Sequence, residues 1–172
     1  SVKSLSPYFS EAALMRYRLY IEVEYLISLS REKKIKELNS FTEAQIKKLR
    51  NIYQDFNVAA AEEIKEIESE TRHDVKAIEY YIQKKIKKSL HPWVHFALTS
   101  EDVNNLSYSL MWKHGFEQFF LPEVELVLKK LKSISVKYKN DTMLSLTHGQ
   151  SATPTTFGKE IGVFYARLER QV

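Results

Sequence analysis

The sequence of 172 residues contains no cysteine and only four glycines and four prolines. Without cysteine there is no disulfide framework, thiolate nucleophile, cysteine-ligated zinc or iron–sulfur cluster. Because β-rich folds need glycine and proline at their many turns, the scarcity of both excludes an all-β fold. No apolar stretch approaches the roughly 20 residues of a membrane helix, and no signal-type segment is present. We therefore expect a cytoplasmic protein with no membrane partner.

Charge is nearly balanced, since 26 basic and 22 acidic residues give a net charge of +4. An excess this small is weak evidence for a nucleic-acid partner, and we expect none. One dense basic run interleaves with Ile82 and Ile86 and contains Lys84, Lys85, Lys87 and Lys88. A basic outer face on an amphipathic helix explains this run, and a helical nucleic-acid-binding module is the alternative.

Apolar residues recur at helical spacing along most of the sequence, which predicts a helical fold. The first helix is expected over residues 11–29, with an apolar stripe of Leu14, Tyr17 and Ile21 that Val23 and Leu26 widen. Thr42 and Gln45 form a capping-box signature for a second helix. Further helices are expected over 59–69, from a Thr71 cap to Pro92, from Thr99 to about Lys139, and from a Thr153 cap with Pro154 at the first helical position.

The helix that starts at Thr99 is too long for a compact domain of this size. Roughly 38 residues span about 57 Å, whereas a domain of this length is about 40 Å across. Pro122 can kink the helix without removing the excess length. We therefore expect something outside this chain to cover the projecting part.

The five histidines are candidates for metal binding or proton transfer. His91 and His95 are four residues apart, but Pro92 between them argues against a regular helix and no nearby carboxylate completes a ligand set. We expect no metal site there, and we expect His114 to be a surface or packing residue.

Two predicted helix starts contain polar residues that suit an anionic ligand. His73 lies between Arg72 and Asp74, where free N–H groups and the helix dipole attract an anion; a solvated polar cap is the alternative. Thr99 and Ser100 can hold a carboxylate with hydroxyl and backbone N–H groups, and they can also act as N-caps.

The segment Thr147-His148-Gly149-Gln150 joins two predicted helices and has no helical period. Glycine permits close backbone approach, and loops between rigid helices commonly carry function. Histidine exchanges protons near neutral pH, so His148 is a candidate for proton transfer. A hydrogen-bonded loop histidine is the alternative.

Three segments share their order and spacing with one enzyme family. They are TRHDVKA at 71–77, HFALTSEDVNN at 95–105 and THGQSATPTTFGKE at 147–160. Together they resemble the adenylosuccinate lyases, a family of the fumarase/aspartase superfamily, and the resemblance extends over nearly the whole chain. It implies an all-α fold, with an N-terminal helical domain over 1–91 and the first part of a long central helical bundle over 92–172.

The resemblance implies a carbon–nitrogen lyase of purine biosynthesis. In this family a β-elimination releases fumarate from adenylosuccinate, leaving AMP, and from a succinyl-carboxamide ribotide, and no cofactor is needed. The implied partners are the succinylated purine nucleotide and further copies of the chain, since family members are homotetramers with composite active sites. A non-catalytic helical oligomerisation scaffold that keeps the fold is the alternative.

The matching motifs also imply roles for individual residues. His148 corresponds to the general acid, with Thr147 and Gln150 as supporting residues. Thr99 and Ser100 correspond to a clamp on the succinyl group of the substrate.

A second substrate-binding segment corresponds to Arg72, His73 and Asp74. The resemblance leaves open whether His73 takes part in catalysis or only in binding. The catalytic base corresponds to a serine on a mobile loop that this sequence does not contain.

The sequence departs from the family pattern at three places. Ser151 stands where the family usually has proline, which affects no catalytic role. The family's Gly-Arg-Tyr substrate-binding element is absent, because Arg16 and Tyr17 lie inside the first predicted helix. The Met-Pro-Lys-Asn signature of the serine loop is also absent. We therefore expect this stretch to be part of a longer protein and to lack turnover alone.

Overall fold

The computed structural model describes residues 3–172, which are predominantly helical. The helices are α1 (Ser6–Phe9), α2 (Glu11–Leu29), α3 (Glu43–Gln54), α4 (Val58–Thr71), α5 (Asp74–Lys85), α6 (Ser100–Gly115), α7 (Leu121–Lys137) and α8 (Phe157–Glu169). Short 3₁₀ turns span Lys3–Leu5 and Lys88–Trp93, a π-helical turn spans Phe116–Phe120, and the strands β1 (Thr142–Thr147) and β2 (Gln150–Thr156) form an antiparallel hairpin. The predicted helical fold class is confirmed, with this hairpin as an addition.

The described residues form two compact units, one ending at Gly115 and the other beginning at Phe116. Helix α6 belongs to the first unit because it packs against α2 and buries Val103, Ser107 and Met111. The boundary expected between residues 91 and 92 separates two domains of the whole enzyme, so the division of this chain into compact units does not test it. It stays a prediction.

Helix α2 is the centre of the first unit. Ser10 caps its start by accepting a hydrogen bond from the Ala13 amide at 3.0 Å, and helices α3, α4, α5 and α6 all pack against it. Its core side chains interlock with those of its neighbours to give one apolar cluster, which includes Leu19, Val23, Leu26, Ile46, Leu49, Ile64, Ile78 and Ile82. Burial of this surface is the main stabilising term of the unit.

The predicted apolar stripe of α2 is only partly right. Tyr17, Val23 and Leu26 of the predicted stripe are buried, but Leu14 and Ile21 are only half-buried. Leu19, which lies outside the predicted stripe, is fully buried. The prediction assumed a helix that packs against the core with one face and leaves the other in solvent. Because neighbours surround α2, it buries side chains around most of its circumference.

The junction between α4 and α5 differs from the predicted Thr71 cap. Thr71 is the last residue of α4, Arg72 closes that helix in the left-handed conformation, and His73 caps α5. The sequence pattern placed the cap two residues early because Thr71 and Asp74 have the spacing of a capping pair. The hydroxyl of Thr71 instead faces the backbone of His73.

The predicted start of the last helix is wrong. Pro154 lies in β2 opposite Leu144, and the helix begins at Phe157 with Thr156 as its cap, which accepts a hydrogen bond from the Lys159 amide at 3.1 Å. Pairing with β1 takes up the backbone groups of residues 150–156. Proline is tolerated there because every strand of a two-stranded sheet has a free edge.

Helices α7 and α8 pack together in the second unit through a glycine. Gly158 is buried, its amide donates to the Tyr138 carbonyl at 3.0 Å, and its carbonyl accepts from the Ser135 hydroxyl at 2.7 Å. A Cβ atom at this position would lie 2.6 Å from the backbone of Lys139. The contact between the two helices therefore requires glycine.

Several large apolar side chains of the second unit are exposed, and α7 has no buried residue. The exposed residues include Phe120, Leu126, Val127, Val136 and Phe164. Exposed apolar surface of this extent is typical of a surface that another chain or segment covers. The expectation that something outside this chain covers the long helical stretch stays a prediction.

We predict that Gly158→Ala lowers the free energy of unfolding by about 1–3 kcal/mol, because the new methyl group forces the backbones of α7 and α8 apart. Urea unfolding of the variant measures this change. Gly162→Ala is the milder control, since its Cβ would meet only the side chain of Ser135, whose hydroxyl lies 2.9 Å away and can move aside at the cost of its hydrogen bond to Gly158. Equal effects of the two substitutions would contradict the requirement for glycine at position 158.

Candidate functional site

The backbone is strained at four non-glycine residues of the described chain. Arg72, His95, Ala97 and His148 have φ angles of 53°, 60°, 59° and 51°. L-residues rarely adopt this left-handed region, which costs roughly 1 kcal/mol or more per residue. All four residues lie in the three motifs. Such strain is retained where the surroundings enforce it, often at functional sites, so the motifs are candidates on conformational grounds also.

His73 is held at the start of α5 by its own ring. Its Nδ1 atom accepts a hydrogen bond from the Lys76 amide at 3.2 Å. An accepting Nδ1 leaves the proton of a neutral imidazole on Nε2. The side chain is half exposed, so Nε2–H can donate a hydrogen bond to a ligand.

The side chains next to His73 differ in their partners. Asp74 bonds to the guanidinium of Arg18 at 2.6 Å. Burial acts to raise the pKa of Asp74, but the Val75 amide and the charge of Arg18 outweigh it, so the pKa lies below its ordinary value. The exposed side chain of Arg72 has no partner among residues 3–172. Arg72 is therefore free to bind an anion.

The second motif begins α6. Thr99 and Asp102 cap each other, since the Asp102 carboxylate accepts from the Thr99 amide at 2.7 Å and from the Thr99 hydroxyl at 2.9 Å. Ser100 is the first residue of the helix and is half-buried. Its hydroxyl has no partner within the described residues. The capping role expected for Thr99 is confirmed, and Ser100 retains a free hydroxyl.

The strained bend before this helix is bound to α2. His95 Nδ1 lies 2.5 Å from the buried carboxylate of Glu22, and its Nε2 lies 3.9 Å from Glu79. The Tyr25 hydroxyl donates to the carbonyl of Phe96 at 2.9 Å. Burial raises the pKa of Glu22 above its ordinary value, although the hydrogen bond and charge of His95 oppose the rise.

Sequence reasoning missed the residues of α2 that reach the motifs. Arg18, Glu22 and Tyr25 recur at i, i+4 and i+7, so they share one face of the helix. Arg18 also donates to Asn104 of α6 at 2.9 Å. The spacing was visible in the sequence. A polar helix face normally lies in solvent, however, and only a fold that surrounds α2 brings this face into contact with the motifs.

The third motif forms the tip of the hairpin. Thr147 pairs with Gln150, and the two central residues, His148 and Gly149, have positive φ angles of 51° and 76°. Turns of this kind favour Asn-Gly or Gly-Gly, and histidine is an unusual choice. All four residues are exposed, and no described residue makes a hydrogen bond, ion pair or ring contact with the side chain of His148. The imidazole therefore projects freely into solvent.

The structure brings two of the three motifs together. Arg72, His73, Asp74, Thr99 and Ser100 all lie in the first unit, where Arg18 bonds to both motifs. The third motif, with Thr147, His148 and Gln150, lies in the second unit. The site roles of these eight residues stay predictions.

His114, Lys84 and Lys85 have structural partners. His114 Nδ1 lies 2.9 Å from the Tyr17 hydroxyl, as a packing residue would. Lys84 and Lys85 both contact Glu63, at 3.3 and 3.2 Å. Within residues 3–172 we find no group of three acidic, histidine or cysteine side chains arranged for a metal ion. None of the helices described has the length and apolar character to cross a membrane.

A sequence model of a family described as lyase matches residues 2–172. The chain therefore belongs to this lyase family.

Three curated relatives that the chain clearly resembles are all named as the same enzyme. The chain is 44% identical over 176 residues to the adenylosuccinate lyase of Buchnera aphidicola subsp. Schizaphis graminum. It is 43% identical over 179 residues to the adenylosuccinate lyase of Dictyostelium discoideum and 41% identical over 175 residues to that of Escherichia coli K12. Each comparison covers 99% of this chain. The chain spans 38–39% of the length of these relatives.

Solved structures confirm the fold. A fumarate lyase from Mesorhizobium sp. BNC1 matches with a TM-score of 0.78 at 17% identity, over 97% of this chain and 37% of that one. The β-carboxy-cis,cis-muconate cycloisomerase of Acinetobacter calcoaceticus matches with a TM-score of 0.73 at 16% identity, over 98% of this chain and 38% of that one. The chain therefore shares the fold of these two structures over the part that is matched.

We predict a pH-dependent effect of Glu22→Gln. The pKa of Glu22 is raised in the folded protein. At a pH below the ordinary glutamate pKa the side chain is protonated and its contribution to stability is fully present. This contribution is lost as the pH rises through the raised pKa. The parent should therefore lose stability relative to the variant as the pH rises from about 4 towards the raised pKa. Urea unfolding across this range measures the difference.

Glu24→Gln on the same helix is the control. The hydrogen bond from Arg50 lowers the pKa of Glu24, so its contribution is present above the ordinary value and is lost as the pH falls. The two variants should show opposite trends against the parent. A stability difference for Glu22→Gln that does not change with pH would contradict the prediction.

Proposed function

We propose that this chain forms the N-terminal part of an adenylosuccinate lyase. The whole enzyme releases fumarate by β-elimination from adenylosuccinate, leaving AMP, and from the succinyl-carboxamide ribotide of purine biosynthesis. One observation carries the proposal: the three motifs shared with the family contain every left-handed non-glycine residue in the described part of the chain. The identity of 39–44% to adenylosuccinate lyases across nearly the whole chain supports it.

The elimination requires three groups and no cofactor. A base removes the proton from the carbon next to a carboxylate, a clamp stabilises the charge that builds on that carboxylate, and an acid protonates the departing nitrogen. This chain supplies candidates for the clamp and the acid. The base is a serine in the part of the enzyme outside this sequence.

His148 is the proposed general acid. Its imidazole projects from a tight turn and has no partner among the described residues, so it is free to approach a substrate held by other parts of the enzyme. Thr147 and Gln150 flank the turn as a pair and set its geometry. The strained backbone supports this role because asparagine or glycine would form the same turn at lower cost.

Ser100 and Thr99 are the proposed clamp. The free hydroxyl of Ser100 and the unpaired N–H groups of the first turn of α6 suit a carboxylate. Thr99 uses its hydroxyl in the cap with Asp102, so its role is to hold the start of the helix in shape.

Arg72, His73 and Asp74 are the proposed second binding segment. The guanidinium of Arg72 and the Nε2–H of His73 are hydrogen-bond donors for an anionic substrate. Asp74 is held by Arg18 and fixes the position of the segment. This geometry favours a binding role for His73, since its Nδ1 is already used by the Lys76 amide.

We propose a homotetramer in the cytoplasm, whose active sites combine motifs from several copies. The exposed apolar residues of the second unit, such as Leu126 and Phe164, support assembly with other chains. Because no single group completes the elimination, this stretch of chain lacks turnover alone. A non-catalytic scaffold is the alternative outcome, and it would hold if the whole tetramer, with all motifs present, released no fumarate.

We predict that His148→Asn in the whole enzyme lowers turnover at least about a hundredfold, the usual contribution of general acid catalysis. Asparagine adopts the left-handed turn more readily than histidine, so the variant should be as stable as the parent or slightly more stable. Fumarate release and thermal unfolding measure the two effects. A turnover within about threefold of the parent would reject the assignment.

We predict that Ser100→Ala weakens substrate binding by about 1–3 kcal/mol, because a hydrogen bond to a charged group is lost. Unfolding stability should not change, since the hydroxyl has no partner in the described structure. Ser109→Ala is the control on the same helix, as the Ser109 hydroxyl donates only to the Asn105 carbonyl. Unchanged substrate affinity for Ser100→Ala would count against the clamp.

A further inference from the structure

Three polar side chains of α2 reach the two motifs of the first unit. Arg18, Glu22 and Tyr25 lie on one face of the central helix. Arg18 and Glu22 are buried to 5% and 1% relative exposure. Burying charged side chains is costly unless each is paired, so their partners are strongly selected by the geometry. We call these three residues the α2 brace.

Arg18 connects the two motifs directly. Its Nη2 donates to Asp74 at 2.6 Å, and its Nε donates to the side-chain oxygen of Asn104 at 2.9 Å. Asp74 is the first residue of α5, and Asn104 lies one turn into α6. The planar guanidinium has donors in fixed directions, so it sets both the distance and the angle between its partners. A lysine carries its three donors on one freely rotating nitrogen, so it does not fix the directions of two partners in this way.

Glu22 and Tyr25 hold the strained bend that leads into Ser100. Glu22 contacts the ring of His95, which has left-handed backbone, and Tyr25 bonds to the carbonyl of the next residue, Phe96. Two strained residues so close together persist only if the surroundings over-determine them. The contacts from α2 are the restraints that the structure shows.

We propose that the α2 brace positions the clamp at Ser100 relative to the binding segment at His73. The brace residues act through Asp74, Asn104 and the bend at His95, and none is assigned a contact with substrate. The inference rests on the proposed function, because the clamp role of Ser100 and the binding role of His73 come from it. Its physical basis is that two binding elements must be held within a fraction of an ångström to act on one ligand.

The same helix provides matched controls. Arg50 and Tyr53 of α3 both bond to Glu24 of α2, with Arg50 at 2.7 and 2.9 Å and Tyr53 at 2.8 Å. This arginine–tyrosine pair thus makes hydrogen bonds of the same type to α2. It contacts no residue of the three motifs. Loss of general stability is therefore separable from loss of positioning.

The first test is hydrogen exchange in the whole protein without substrate. Arg18→Lys should speed amide exchange about tenfold or more at residues 72–76, and Tyr25→Phe should do so at residues 95–102, because each variant loses the restraint on that segment. Arg50→Lys and Tyr53→Phe should leave exchange there unchanged. Tyr25→Phe removes only a hydroxyl group, so it decides the matter if Arg18→Lys fails to fold. Equal exchange in brace and control variants would overturn the proposal.

The second test is the kinetics of fumarate release. Brace variants should raise the KM about tenfold or more with a smaller change in kcat, whereas control variants of equal thermal stability should change both less than about twofold. Equal kinetics in the two groups would overturn the positioning role even if exchange differed. A parent enzyme that releases no fumarate would instead refute the proposed function, and the exchange measurement would then decide the brace alone.

Discussion

Arg18 donates one hydrogen bond to Asp74 and one to Asn104, and the arrangement of the first unit depends on this pair of bonds. These two bonds require that the charged side chain of Arg18 be buried, which is stable only when α5 and α6 present their polar groups at the right places. Helix α2 can meet this condition because its apolar side chains, such as Leu19 and Val23, are fully buried on the adjoining faces. Apolar burial supplies the stability, and the polar face supplies the geometry.

Part of this stability offsets the conformational cost of the strained residues. Arg72, His95 and Ala97 lie at bends next to helix starts, and His148 lies in a turn that asparagine or glycine would form more easily. Each conformation is unfavourable for its residue, yet each directs a side chain or a helix terminus towards solvent. In the first unit the surrounding core and the α2 brace enforce the bends. In the second unit the pairing of β1 with β2 enforces the turn.

The sequence predicted the helical class, the capping box at Thr42 and the motif residues, because these depend on local spacing and on residue types. It placed the last helix three residues early, since Pro154 is a good first residue for a helix and nothing local shows that residues 150–156 pair with β1. It also missed Arg18 and Tyr25. Polar residues on a helix are usually solvated, and only contacts far apart in the sequence show that these are not.

By itself, then, the amino-acid sequence determined which segments are helical and which residues can bind an anion or exchange a proton, because hydrophobic periodicity and side-chain chemistry are local properties. Tertiary structure alone decided that α2 is surrounded, that His73 uses Nδ1 as its own cap, and that Arg18 joins two motifs. The reason is physical: burial, hydrogen-bond partners and backbone strain depend on neighbours that are distant along the chain.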